Sequence, residues 1–452
     1  MPICPLLNSY NNPIMENKMT KLTVTSTGDS LFVARFPEEY AGKIDSVADF
    51  IKSCDIRMTN LETNLSDFQF YGNQYSGGTW LNTRSKYIEE LFRYGFHYFG
   101  NANNHCMDYS YGGMLSTIDV LESYGMAHSG TGRSLEEAAK PAIIEAKGMK
   151  TAVFAVDASF NNPSMAGKAT HFLKARPGVN YLRHDTVYKV DEADVANLKA
   201  IAAKTHINFT RERNIATGFK TPDPEGYFFL GDIKFTTKTD VPSTKCNVAD
   251  LARITSAIRA AKESCDYVFL LIHCHNSDNM AVVNPPDYLK EFAHACIDAG
   301  AGAIFGGGCH QLRPMELYKG FPIFYSLGDF IYQGLKVEYL PADFMEQYKI
   351  DIYSTAEQAL FARSRGNKVG LHCDKKNYQT ILPKLEFENG KMTAMQLMPV
   401  YLNFDRKDDM NGLPTAAHGD EAAEILDMMN TLSAPYGVKL TMENDMMRAT
   451  GI

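Results

Sequence analysis

Apolar Leu22 and Val24 sit among threonines over residues 21–27, KLTVTST, a β-branched run that predicts a strand and stops abruptly at Gly28-Asp29. A helical spacing follows at Ile44, Val47, Phe50 and Ile51. A short strand over 56–59 then ends in Asn60-Leu61-Glu62. The pattern predicts a helix over 87–94 and a strand over 96–99 ending in Asn101-Ala102-Asn103-Asn104-His105. It predicts another helix over 114–123, from the spacing of Leu115, Ile118 and Leu121, and a strand over 151–156. Strand, polar tip and helix in repeated order predict a layered α/β architecture.

From about 159 to 247 the rhythm lapses. A helix is predicted over 191–204 from Val195, Leu198 and Ile201, and the rest of the stretch is mixed. Its length predicts an inserted lid or subdomain that covers a substrate. The rhythm resumes with a helix over 248–264 and an apolar strand over 267–272 that ends in His273-Cys274-His275. A helix over 286–299 and a strand over 303–305 follow, then the loop Gly306-Gly307-Gly308-Cys309-His310. A strand over 323–327 ends in Gly328-Asp329-Phe330. Beyond about 340 the pattern predicts strands over 381–387 and 394–400 and a last helix over 421–432. Residues 21–452 therefore read as one domain carrying an insertion, and residues 1–20 as a poorly ordered segment.

Composition narrows the function classes. With 452 residues, 45% hydrophobic and 22% charged, the chain is an ordinary globular protein with a sizeable core. Lys+Arg 45 against Asp+Glu 53 leaves a net charge of −8, which argues against a nucleic-acid partner. No run approaches the ~20 apolar residues that span a bilayer, and the N-terminus lacks the basic start and apolar run of a signal peptide. The nine cysteines are odd in number and contain no C-x-x-C pair, so neither a zinc ribbon nor a disulfide framework is indicated. The expected setting is the cytoplasm, with no membrane anchor.

Five predicted strands end on Asp29, Glu62, Asn104/His105, His273/His275 and Cys309/His310. One histidine at a strand tip is more often structural than a ligand. Five tips that all supply carboxylate, carboxamide or imidazole form the donor set of a hard-to-borderline divalent metal.

The same residues carry a family resemblance. TGDS (27–30), NLETNLS (60–66), the stretch 101–132, IH (272–273) and YKGFPIFYSLGDFIY (318–332) are similar to the CapA family of bacterial poly-γ-glutamate capsule-synthesis proteins. That family is related to the calcineurin-like metallophosphoesterases. ARPGVNYLR (175–183) and residues 397–426 also resemble it, so the likeness covers about 22–435. The resemblance implies a four-layer αββα metallophosphoesterase-like sandwich with an inserted lid. It implies Asp29 and His310 on one metal ion, Glu62 bridging, Asn104 and His273 facing a second, and His105 as the acid beside the substrate. A divalent ion lowers the pKa of its bound water towards ~7 and so supplies a hydroxide nucleophile. A histidine off the metal then protonates the leaving group. The implied reaction is hydrolysis of an amide or phosphoester bond in a peptide or polyglutamate-type substrate. Two alternatives stay open: a metal-assisted epimerase acting at a peptide α-carbon, and a non-catalytic accessory protein in a capsule-synthesis complex.

Three departures from the family pattern bear on this. Leu31 stands where phosphoesterases carry a metal-binding histidine, as is usual in this family. Gly-His-His-Pro-His is replaced by Gly306-Gly307-Gly308-Cys309-His310, and His-Trp-Gly by His273-Cys274-His275. The changes point to one divalent ion, with a second position incomplete; Mn, Zn, Ca and Mg all fit the donors. His275 is either a replacement ligand or a base. Cys309 is a proton-transfer base or nucleophile if a nearby cation depresses its pKa. Cys106 and Cys274 also flank proposed ligands, and simple packing beside a crowded site is the alternative for all three. In the insertion, Lys204, Arg211, Arg213 and Lys220 either grip substrate carboxylates or form a solvated face. Asp329 is read as structural, holding the loop behind His310.

Overall fold

The strand Lys21–Leu31 changes partners part-way along its length. In this computed structural model, which describes residues 21–40, 42–278 and 281–449, its first half pairs antiparallel with Gln379–Glu388. Its far end pairs parallel with Asp329–Tyr332. The register against Ile56–Leu61 shifts between Ser26 and Asp29, where the partner changes. Gly28 lies at this point, and a Cβ there would collide with the Gly328 carbonyl oxygen, so the close approach requires glycine. Asp29 therefore sits inside a strand and not beyond its end, as the sequence pattern suggested. The 1–20 segment lies outside the described residues.

Around this strand the larger sheet runs Leu440–Glu443, Met446–Ala449, Lys391–Tyr401, Gln379–Glu388, Lys21–Leu31, Ile56–Leu61, Tyr98–Gly100 and Ala127–Ser129. The smaller sheet runs Met315–Tyr318, Phe321–Phe324, Ala303–Gly308, Tyr267–Cys274, Met149–Asp157 and Ala142–Ala146, with its central strands parallel. Alternate residues on those central strands go to different cores, as the pleat demands. Val153, Ala155, Phe269, Leu271 and Phe305 join Val24, Met58 and Phe99 of the larger sheet. Phe154, Val156, Leu270, Ile272 and Ile304 instead pack on Ile254, Ile258, Leu289 and Phe292. These last four belong to the helices Val248–Ser264 and Asp287–Asp298. The sheets thus face each other across one apolar core, with helices on the outer face of the smaller sheet. The architecture is of the expected α/β class.

The insertion has its own small framework. The helix Glu192–Thr205 begins where expected, with the Asp191 side chain accepting the Asp194 amide as its cap. A second helix, Phe209–Ala216, follows. The strands Tyr188–Lys189, Ile233–Thr236 and Tyr227–Leu230 form a separate sheet. Two pairings hold its ends, Gly178-Val179 with Gly132-Thr131 and His184–Thr186 with Cys246–Thr244.

Two expectations need correction. Residues 323–327 are not one strand: the chain leaves Phe321–Phe324 in the smaller sheet, turns at Gly328 with φ +78°, and enters the larger sheet at Asp329. The apolar run Ile323–Leu327 reads as continuous because both of its ends are buried, in different cores. The region beyond 340 also holds two short helices, Ala342–Tyr348 and Ala356–Arg363, which the pattern did not show. At seven and eight residues each makes only two turns, too few for a helical period to stand out. Among the described residues no helix is long and apolar enough to cross a membrane.

Candidate metal centre

Both sheets deliver their polar tips to one rim, as open α/β sheets do at the carboxyl ends of parallel strands. Asp29 is buried. Its Oδ1 accepts the Asn60 amide at 2.7 Å and its Oδ2 the Gly308 backbone N–H at 2.5 Å, which ties the two sheets together. Gly307 is required here, because a Cβ would collide with the Asp29 carboxylate. Burial pushes the Asp29 carboxyl up, but His273, the Gly308 amide and Asn60 overcome it and hold the pKa below the usual carboxylate range.

Glu62 is the exception among the carboxyls. It is 0% exposed and neither of its oxygens has a hydrogen-bond partner. Its Oε1 lies 3.6 Å from His273 Nε2 and 3.8 Å from His105 Nε2. Burial, followed by the charges of Asp29, Asp329, Asp108 and Asp157, holds its pKa well above the usual range.

Four histidines surround it. His273 Nε2 lies 2.8 Å from Asn104 Oδ1 and 3.2 Å from His275 Nε2, while its Nδ1 is 3.5 Å from Asp29 Oδ1. Strand alternation places His273 and His275 together and sends Cys274 the other way, to the Tyr288 hydroxyl at 3.1 Å. One ligand atom each from Glu62, His273 and His275 falls within 4.8 Å of the others, a grouping suited to a metal ion. Burial, then His273, His310, His105 and Arg313, hold the His275 pKa well below normal. His310, in the left-handed region at φ +63°, points Nδ1 at both Asp329 oxygens at 3.1 Å. Burial lowers its pKa, but Asp329 and Asp29 raise it above normal. His105 Nδ1 lies 2.6 Å from Asp108 Oδ2. Asn104 donates to the Gly77 carbonyl at 3.0 Å, and Gly77 packs so closely on Asn104 and His105 that a Cβ would strike both.

The structure thus brings together Asp29, Glu62, Asn104, His105, His273, His275 and His310. The other named residues stand apart. The Cys309 thiol donates to the Gln311 carbonyl at 3.2 Å. Burial raises the pKa values of the Cys106 and Cys274 thiols. Arg211 pairs with Asp223 through two N–H groups and lies 3.5 Å over the Phe229 ring, so its guanidinium is engaged within the insertion. Arg213 and Lys220 are exposed on the insertion.

Three contributors escaped the sequence reading. Asp157 ends its strand as Asp29 lies in its own, and its position beside His273 in the sheet was open to the same tip argument. It is fully buried, one oxygen has no partner, and burial raises its pKa to about 6. Asn60 links Asp29 to Asn103. Arg313 is 0% exposed and clamps the His275 loop by donating to the carbonyls of Cys274, Asn276 and Val282. No local pattern signals an arginine whose acceptors are all backbone.

Two cavities open on the centre. One, of about 180 Å³, is lined by His105, His310, Tyr332 and Arg363 among others. The second, of about 390 Å³, is lined by Asn104, His275, Ser159, Asn161 and His184. Gly77 contributes to both walls.

Residues 23–334 match the family described as bacterial capsule synthesis protein PGA_cap. The chain belongs to this family. Every histidine and carboxylate of the centre falls within the PGA_cap match. The uncharacterised protein y4sH of Sinorhizobium fredii (strain NBRC 101917 / NGR234) is 28% identical over 439 residues, 95% of this chain and 93% of that protein. The PGA biosynthesis protein CapA of Bacillus subtilis (strain 168) is 24% identical over 320 residues, 71% of this chain and 61% of its own. A probable polyglutamine synthesis accessory protein of Mycobacterium tuberculosis (strain CDC 1551 / Oshkosh) is 24% identical over 239 residues, 52% of this chain and 45% of its own.

Proposed function

We propose that this PGA_cap protein is a metal-dependent hydrolase acting on an amide or phosphoester bond of a peptide or polyglutamate-type substrate. The observation that carries the reading is Glu62, a carboxylate with no exposure and two unpartnered oxygens, set among imidazoles. A buried carboxylate without a partner is costly, and a divalent cation is the group that satisfies both oxygens at once. The facing sheets with outer helices agree with the four-layer αββα metallophosphoesterase sandwich that the resemblance implies. The eight described cysteines, all unpaired, agree with a reducing cytoplasm.

Asp29, Glu62, Asn104, His273, His275 and His310 would hold the ion. When bound, it supplies Lewis acidity that makes water a nucleophile near neutral pH. Asp329 fixes the proton of His310 on Nδ1 and so leaves Nε2 as the ligand atom. Asn104, anchored on Gly77, presents Oδ1. Asp108 supports the imidazolium of His105, which delivers a proton from Nε2 to a leaving group. The Ser76–Gly78 loop contributes to the walls of both cavities, and the insertion's His184 to the one beside Asn104 and His275.

The test is metal content by mass spectrometry on protein purified without a metal-binding tag, followed by release of phenol from aryl phosphate and glutamate from poly-γ-glutamate. At least one equivalent of metal and metal-dependent release of one product are expected, both lost in Asp29→Ala/His310→Ala. Failure to take up Mn²⁺, Zn²⁺ or Ca²⁺ would overturn the reading.

A second reading, a non-catalytic accessory protein, draws on Gly307 and Gly308. The family's two imidazoles cannot be restored on this backbone, because Cβ atoms at these positions would strike Asp29 and Cys274. It predicts co-purification with a membrane-bound synthase and an unchanged polymer yield in His310→Ala. The epimerase alternative, which draws on Cys309 or His310 facing His275 or His105, has less support, since the buried Cys309 thiol donates to the Gln311 carbonyl.

A further inference from the structure

Arg363 ends the helix Ala356–Arg363, in the segment that lies beyond the PGA_cap match. It is half-buried and lines the 180 Å³ cavity together with His105 and His310. No other Lys or Arg lines that cavity, and no Asp or Glu does. Its Nη1 donates to Thr79 Oγ1 at 3.0 Å, and its guanidinium stands 5.9 Å from the Phe344 ring centroid. Among the described residues it has no carboxylate partner. The cavity on the other side of the centre has no lysine, arginine or carboxylate in its lining.

A guanidinium carries five N–H donors in a rigid fork, and one of Arg363's is engaged by Thr79. The remaining donors of this half-buried cation line a cavity without an acid, an arrangement suited to an incoming anion. We infer that Arg363 recognises an anionic oxygen group of the substrate, a carboxylate or a phosphate, on the His105/His310 side of the centre. This rests on the reading that the centre acts on a substrate held in these cavities. It adds a point of substrate charge recognition in the 335–378 segment to those of the insertion, where Arg211 is already paired.

The experiment is calorimetric titration of the full chain with tri-γ-glutamate, its fully amidated counterpart (the γ-linked tri-isoglutamine amide), and phenyl phosphate. The wild type is expected to bind the glutamate peptide about tenfold or more tighter than the amide, the span of one charge-assisted hydrogen bond. Arg363→Met removes that preference and leaves the amide peptide unaffected, and Arg363→Lys restores part of it. A loss with tri-γ-glutamate supports the assignment with a carboxylate as the anion, and a loss with phenyl phosphate supports it with a phosphate. Equal weakening of charged and amide peptides, or no weakening of either charged ligand, overturns it. If Arg363→Met does not fold, a wild type that fails to prefer the charged peptide overturns it alone. Charge-selective, Arg363-dependent binding with no release of glutamate or phenol would sink hydrolysis and leave the Arg363 assignment standing.

Discussion

Replacing Glu62 with Gln should make the metal-free protein more stable and the metal-loaded protein less responsive. The wild-type carboxyl is 0% exposed, has no hydrogen-bond partner, and is surrounded by Asp29, Asp329, Asp108 and Asp157. Its folded pKa is raised well above the usual 4.5, by burial first and by those four charges next. The folded state therefore holds the Glu62 proton more tightly than the unfolded chain does. The stability tied to that proton is complete below about pH 4.5 and is lost as pH rises towards the folded pKa. Gln is neutral at every pH and escapes this loss. The penalty for a buried unsatisfied group is about 1–3 kcal/mol, with charged groups at the upper end. Unfolding entropy near 2.1 cal/mol/K per residue makes roughly 1 kcal/mol/K for a chain of 452 residues. Glu62→Gln should then melt about 1–3 °C above wild type in chelator at pH 8, with no gain at pH 4.5.

Saturating Mn²⁺ should reverse the order. At one hundred times its dissociation constant a ligand stabilises the folded state by about 2.7 kcal/mol, or ~3 °C here. Wild type gains that shift and Glu62→Gln does not. Differential scanning fluorimetry on both proteins, with chelator and with Mn²⁺, reads the crossing directly. A variant that melts below wild type in chelator, or that gains the same Mn²⁺ shift, would refute the assignment of Glu62 as the carboxylate that the ion satisfies.

Asp157→Asn should behave similarly: burial raises its pKa from 3.8 to about 6, so the variant gains up to roughly 3 kcal/mol above pH 6 and nothing below pH 4. Urea denaturation at pH 4 and pH 8 in chelator checks this, and a gain that does not depend on pH would refute it. Asp329→Asn removes the charge that orients His310 through Nδ1 and should weaken metal binding about 10–100-fold. Competition with a fluorescent chelator measures it, and unchanged affinity would show that His310 needs no such support. Gly307→Ala forces a methyl against the Asp29 carboxylate, which should cost about 1–3 kcal/mol and most of the bound metal. A variant with wild-type melting and full metal content would mean that the strand yields there at little cost.

The parts of the site that the sequence showed are those fixed by local chain geometry. A strand ends, a polar residue follows, and its donor type is visible without knowing what it meets. His273 and His275 share a face because side chains alternate every residue, and Cys274 goes to Tyr288 for the same reason. The parts that stayed hidden depend on two distant segments at once. Asp29 lies within its strand because Asp329–Tyr332 takes over as its neighbour beyond Gly28. Arg313 is satisfied by three carbonyls of the 274–282 stretch, and backbone acceptors leave no mark in a sequence. The Ala356–Arg363 helix is announced only by its Thr355/Gln358 capping box, a signal easily passed over beside an eight-residue run. A ligand next door in sequence says nothing of a thiol's burial, and at Cys106 burial and Asp157 both raise the pKa.

The packing that makes the rim a site also leaves it short of positive charge. Asp29, Glu62, Asp108, Asp157 and Asp329 are all at most 1% exposed. Asp108 and Asp329 are each answered by a histidine Nδ1. Asp29, Glu62 and Asp157 are left around His273 and His275, and His275 resists protonation because burial and the other imidazoles push its pKa down. A divalent cation would supply the missing charge and fill the donor set together. The one arginine lining the adjoining cavity lies outside this group, where it faces the space a substrate would enter. The positive charge needed to bind metal-site carboxylates and the positive charge needed to bind a substrate anion are thus supplied separately. Removing Arg363 should therefore change ligand selectivity without changing metal content.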